Sequence, residues 1–570
     1  MKRNLIIIMC IVAAALSAAA GEVTFRASTD GFGPGQRIGA RLLELLKPYS
    51  GTPDTTATVK ILFDRAGTYY LDRSLRIHCN LEMEAVKDAK IVVVNDFTFK
   101  DNGVISVSVP RRYRLKVDIR NLDVELERHE GIGFNNKAYY LFKFYNCKAV
   151  NFTGCSTSLH NGKMTSLQLV SCNNITVRNN TFVNYNNCRE GGIIWLVGSC
   201  ENVAIADNTF MKYGNDEVIG FYNGNLTHHN RTDYERRVVR KDITISGNSI
   251  TYERPSWVKA DSIINMDRLI SFVPSVLQNK GDDPSTFFFQ NVELSGNVFN
   301  IRERATRLIS LRTDERTRYS NITFANNIVN IDIKNPNTQS LVLFNLSSKG
   351  DSKTNEPIKI IGNKLTGRMS KLDNGKNPTC YFAYVSNVNL MVSSNTMDVA
   401  GSNNSVVKNN TDKSVEPSAD NTIITLLNNT FKRLYLLCSI NRSNDSGLTA
   451  SFTLKAHRNL LEGQTKIYTR NLARADIEYR DNTFNCTGYE LLFQNFARQG
   501  TLTFTDNTVN FSGRTDYCLY ANYEKTGNTD RFTTFDFSNN TIRGVQASKL
   551  RTDNIPVARR GARLAGNSFW

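Results

Sequence analysis

Few places in this chain crowd ionisable groups closely enough to do chemistry, and the sharpest is Gly214-Asn215-Asp216-Glu217-Val218-Ile219-Gly220-Phe221. Adjacent carboxylates lead there straight into an apolar run. Two carboxyl groups in different surroundings can divide acid/base work, one keeping its proton while the other stays ionised. Glu190, in Arg189-Glu190-Gly191-Gly192-Ile193, stands at the head of an earlier apolar run. Asp267-Arg268 in MDRLISF and Thr306-Arg307 in TRLISL head two later ones. Guanidinium groups add a fork of donors that matches carboxylate or sulfate. These residues act together only if the fold stacks their segments.

A repeated phrase predicts that it does. An Asn recurs two residues before an apolar residue, with alternating apolar positions upstream: ITVRNNTF at Asn180, VAIADNTF at Asn208, ITISGNSI at Asn248, VELSGNVF at Asn297 and ITFANNIV at Asn327. It continues through Asn363, Asn395, Asn429, Asn459, Asn482, Asn507, Asn540 and Asn567, thirteen copies spaced 23 to 49 residues apart. Repeats of that size mark a solenoid. The alternation has period two, so the repeats are strands, and a further apolar run upstream of most copies makes three short strands per turn. All turns run in one chain direction, which requires parallel stacking. Asn suits the bend because it tolerates left-handed backbone and its amide both donates and accepts, so stacked copies form an inner Asn ladder. At one strand spacing per copy the ladder would extend about 60 Å. Counted back from each Asn, Glu190, Asp216/Glu217, Asp267/Arg268 and Arg307 share one edge.

The Asn column resembles that of the pectate-lyase-like superfamily, which implies an all-β fold, a single-stranded right-handed parallel β-helix. The segment VKILFDRAGTYYLDRSLRIHCNLEME resembles the first coil of carbohydrate-active members. Locally, Asp216 and Glu217 resemble the paired-acid strand of polygalacturonase-type glycoside hydrolases, with Ile219 at the strand's Ile and Glu190 at the acid one coil earlier. Two departures are plain: Glu stands for Asp twice, and the family's G-H-G and R-I-K segments have no counterpart. His228 and His229 fall in a loop.

Residues 1–20 read as a secretory leader, with basic Lys2 and Arg3, an apolar stretch and Ala18-Ala19-Ala20, so the expected location is secreted, periplasmic or cell-surface after cleavage near Ala20. The formal charge is +17, or +15 without Lys2 and Arg3. It favours an anionic polysaccharide partner, or is merely a solvated basic exterior. No nucleic acid partner and no membrane-spanning segment is expected. Cys147, Cys172 and Cys200 each precede a strand at one offset, predicting an interior column of thiols, and no cysteine spacing calls for zinc. Residues 34–48 predict an amphipathic capping helix with Ile38, Leu42, Leu43 and Leu46 on one side. The expected organisation is leader 1–20, cap helix and first coils 21–110, and β-helix 111–570. Trp195 is expected to face the core in register with Phe142 and Leu167, and Trp570 to cover the last coil.

Three functions fit. The first is a glycoside hydrolase acting on a uronate-containing polysaccharide, with Asp216, Glu217, Glu190 and Asp267 as catalytic acids and Arg268, Arg307, Tyr222, His228 and Trp257 as substrate contacts. The second is a polysaccharide lyase, in which an arginine or Lys259 takes the C5 proton, and for which Ca2+ would be a possible cofactor; no other cofactor or metal is expected. The third is a non-catalytic surface protein displaying loops to a glycan, with the acid line reduced to corner residues that balance each other's charge.

Overall fold

The computed structural model describes residues 21–98, 102–127, 139–160, 164–185, 191–222, 237–258, 266–272, 286–313, 317–334, 340–348, 356–409, 421–441, 451–470, 472–487, 491–496, 499–513, 519–522, 531–549 and 562–570. It has two compact units, residues 1–214 with 224–235, and residues 215–223 with 236–570. The leader segment lies outside the described residues.

Each unit is a stack of parallel strands. In the first, Val150, Ile175 and Val203 pair in register across three successive coils, with Phe152, Val177 and Ile205 two residues on. Those six side chains are buried, while Asn151 and Thr176 between them face outward. Period-two sequence therefore lays one apolar face inward on every coil. In the second unit the same pairing runs without interruption from Arg237–Ser246 through Thr286–Ser295, Thr317–Ala325 and Ile358–Ile361 to Arg531–Ser538. This is the parallel β-helix the sequence resembles. Phenylalanines stack within it, as in Phe182–Phe210 at 5.3 Å and Phe504–Phe537 at 5.0 Å.

The Asn ladder is continuous in the second unit from Asn248 to Asn567. Asn395 is typical: its Oδ1 accepts from both the backbone N–H and the Nδ2 of Asn363, at 2.8 and 2.9 Å. Its own N–H and Nδ2 donate to Asn429 Oδ1, at 2.9 and 3.0 Å, and Nδ2 also reaches Ile360 O at 2.8 Å. Both donors and both lone pairs of a buried amide are thereby used, which a buried polar group requires. In the first unit Asn180 and Asn208 make the same pair of bonds.

The bend itself departs from expectation. Left-handed backbone lies one residue before each ladder Asn, with φ between 54° and 74°, at Asn179, Asp207, Gly247, Gly296, Asn326, Gly362, Ser394, Asn428, Arg458, Asp481, Asp506, Asn539 and Gly566. Asn, Asp and Gly hold most of those positions because they tolerate that region. The ladder Asn is selected for its amide alone.

Other expectations divide. The described cysteines are all buried free thiols, Cys147, Cys172 and Cys200 among them. Burial, then the neighbouring Cys147, pushes the Cys172 thiol far up. The helix is shorter than expected, Gly39–Leu46, because Gly35 turns the chain at φ 80°. It packs on Gly67–Arg73 and Leu75–Ile77, and a strand precedes it, Glu22–Arg26, paired with Asp54–Phe63. Trp195 faces outward, in register with Lys143 and Gln168. Ile193 and Ile194 are both buried, so the alternation slips by one residue and carries Trp195 to the other face. Trp570 is 78% exposed and covers nothing. Among the described residues no helix is long and apolar enough to cross a membrane.

Asn395→Ala strands the donors of Asn363 and takes one of two donors from Asn429 Oδ1, and should cost roughly 3–5 kcal/mol. Asn330→Ala, which removes an exposed amide bond to Asn300, should cost under about 1 kcal/mol. Arg458→Gly relieves a left-handed residue and should gain about 1 kcal/mol. Urea midpoints of the three variants check all three values; equal losses for the two Asn variants would contradict the ladder's role.

Candidate functional site

Chemistry-bearing side chains converge in the second unit at the head of strand Ile219–Tyr222. Ile219 and Phe221 point inward and pair with Ile270 and Phe272, and Gly220 pairs with Ser271. Val218 is buried and its N–H donates to Leu269 O at 2.8 Å. Counting back two residues on both strands puts Glu217 beside Arg268, and Arg268 pairs in turn with Arg307. The register counted from the asparagines is the register observed.

Glu217 is 3% exposed, and both its oxygens are engaged. Arg268 Nε donates to Oε1 at 2.7 Å, and the Tyr222 hydroxyl donates to Oε2. Gly220 makes the second contact possible: a Cβ there would lie 2.5 Å from Tyr222 Cε2, so only glycine lets the ring fold back towards Glu217. Asp267 is 41% exposed and accepts from Arg307 Nη1 at 2.6 Å, with Arg268 Nε 3.6 Å away. Its backbone N–H is held by Asn215 Oδ1 at 3.1 Å. Asp216 is half-buried in the same segment.

Charges here lean on one another. Burial alone would lower the Arg268 pKa, but the fields of Glu217 and Asp267 outweigh it and the value rises. Burial, then the negative charge of Glu217, pushes the Tyr222 phenol well above its ordinary range. Tyr222 therefore keeps its proton and Arg268 its charge at neutral pH. Each guanidinium spends only part of its fork: among the described residues, the Nη groups of Arg268 and the Nε and Nη2 of Arg307 have no protein partner.

Of the other expected residues, Trp257 is half-buried in the turn after Ser249–Tyr252. Glu190, His228, His229 and Lys259 lie outside the described residues. Arg240 was not anticipated. It is fully buried, its Nη2 donates to Tyr222 O at 2.7 Å, and its guanidinium lies 5.0 Å from the centroid of Phe289. Its signal was available: in VVRKDITI, Arg240 occupies the inward parity set by Val238. Among the described residues no cluster of His, Cys, Asp and Glu could hold a metal ion.

No protein-family model and no curated protein matches this chain. Among solved structures it is similar to a mannuronic acid specific polysaccharide family 6 lyase from human gut microbiota, with 11% identity, TM-score 0.27 and 96% and 91% of the two chains covered. It is also similar to DFA-IIIase from Arthrobacter chlorophenolicus A6, with 9% identity, TM-score 0.23 and 78% and 94% covered. A third is PfbA, a surface adhesin of Streptococcus pneumoniae, with 9% identity, TM-score 0.25 and 95% and 100% covered. At such TM-scores none of them bears on the chemistry of this chain.

A raised phenol stabilises the fold fully below its ordinary value near ~10 and loses that contribution as pH climbs through the folded value. Stability of the wild type should therefore fall more steeply above about pH 10 than that of Tyr222→Phe. Urea midpoints between neutral and strongly alkaline pH measure this. Parallel alkaline limbs would show that burial and Glu217 do not hold the Tyr222 proton.

Proposed function

We propose that this is a carbohydrate-active β-helix protein that binds a uronate-containing polysaccharide and cleaves it at the Glu217–Arg307 cluster. The observation that supports this reading is the pair of half-buried guanidiniums, Arg268 and Arg307, in register on adjacent strands, each anchored by an acid and each with donors to spare. Two such forks one strand spacing apart suit successive carboxylates on an anionic chain. Glu217, buried with both oxygens taken, positions Arg268 and does not touch the substrate. Acid/base hydrolysis then falls to the more accessible Asp267 and Asp216, one protonating the leaving oxygen and the other activating water. In this reading the chain is exported by residues 1–20.

β-Elimination is the second reading, favoured by the same guanidiniums, because neutralising the uronate carboxylate makes its C5 proton easier to remove. Incubation with polygalacturonate and with alginate separates the two. Hydrolysis yields new reducing ends without a conjugated double bond, whereas elimination yields both, and the ultraviolet absorbance of the unsaturated product reports it. Arg268→Ala and Arg307→Ala should each weaken polyuronate binding about ten- to a hundredfold, and added salt should weaken wild-type binding further. Binding without either product would leave a display protein. No binding to any polyuronate or sulfated glycan would overturn the proposal.

A further inference from the structure

Resting on the polyuronate reading, we infer that the binding surface continues past Arg307 as a stripe of tyrosines and lysines, and that it takes a long anionic chain laid across the strands. The first strand of each coil runs in parallel register from Met266–Phe272 through Ala305–Thr313, Ser340–Ser348 and Thr379–Ser386 to Asn403–Asn409, and after a register shift between Asn404 and Ser405 it continues to Thr430–Asn441 and Ile467–Arg470. Arg268, Arg307, Val342 and Tyr381 share one row of that register. Tyr384, three residues on from Tyr381 across the buried Phe382 and Ala383, shares a second row with Lys408, Ser439 and Tyr468.

These side chains form a built surface. The rings of Tyr381 and Tyr384 lie 4.5 Å apart, tilted by 59°. Lys408 Nζ is 5.2 Å from one centroid and 5.6 Å from the other, and 3.4 Å from the Tyr381 hydroxyl. All three are half-buried. Burial and the neighbouring Tyr381 push the Tyr384 phenol up, with Arg307 close enough to oppose the shift. A second tyrosine–lysine pair lies further along, outside both rows at the register shift, where Tyr435, 48% exposed, has Lys466 Nζ 5.3 Å from its ring centroid.

Six strand steps separate Arg268 from Tyr468, about 29 Å at one strand spacing each. A flat ring covers the carbon face of a sugar, and an ammonium beside it meets a carboxylate, so alternating the two reads a polymer of acidic sugars. A small ligand would need one such place. Such places on successive coils suit a chain.

Isothermal titration with polygalacturonate oligomers of increasing length tests this. Affinity should rise at least about tenfold between trimer and hexamer, since further sugars reach the stripe. The double variant Tyr381→Ala/Tyr384→Ala should lose about tenfold for the hexamer and little for the trimer, while the Phe/Phe double variant keeps its binding. Lys466→Ala, a surface change, repeats the hexamer test without disturbing packing. If oligomers bind and Arg307→Ala weakens them, yet length and the stripe variants make no difference, the stripe is overturned and the polyuronate site stands. If no oligomer binds, the polyuronate site itself fails.

Discussion

A buried amide has two hydrogens to give and two lone pairs to fill, and in this chain the next ladder amide, one strand spacing away, closes that set together with a backbone carbonyl. Each ladder Asn of the second unit between Asn297 and Asn540 is held from both sides by its neighbours, and Asn248 and Asn567 close the two ends. A slip of one residue on any coil would bury an unsatisfied amide and turn its apolar face outward. The ladder thus fixes register coil by coil. It leaves the length of the intervening chain free, which is why copies spaced 23 to 49 residues apart stack equally well.

The candidate site is positioned by that constraint at a distance. The strand following each excursion must return to register, so the residues at its head meet their counterparts one spacing away. Glu217, Arg268 and Arg307 are such residues. Burial makes their pairing consequential: Glu217 without Arg268 and the Tyr222 hydroxyl would be a carboxylate stranded out of water. Its engagement keeps Arg268 charged and aimed, with Arg307 steered likewise by Asp267. The acids orient the guanidiniums, which stay half-buried beside them.

Much of this was legible because it depends on period and count. The coils, the inward Asn column, the interior thiols and the alignment of Asp216/Glu217 with Asp267/Arg268 and Arg307 all follow from spacing. What escaped depends on geometry that spacing does not carry. The left-handed residue sits before the Asn, where mixed residue types, Ser394 and Arg458 among them, blur the signal. Strict alternation would place Trp195 inward, but the bend at Ile193 breaks it and carries the ring outward. Gly220 could be read as a gap only once Tyr222 was seen to fill it, and Tyr381 lies three strands from Arg268, in a row that no local motif announces.

A crystal structure of the protein with a bound hexagalacturonate would test the account most directly. The oligomer should cross the strands, with carboxylates on the Arg268 Nη groups and Arg307 Nη2 and a sugar ring over Tyr381 and Tyr384. An oligomer seated elsewhere would contradict it, for example in the groove of about 600 Å³ lined by Glu82, Lys116, Asp118 and Asn151, with Arg268 and Arg307 untouched.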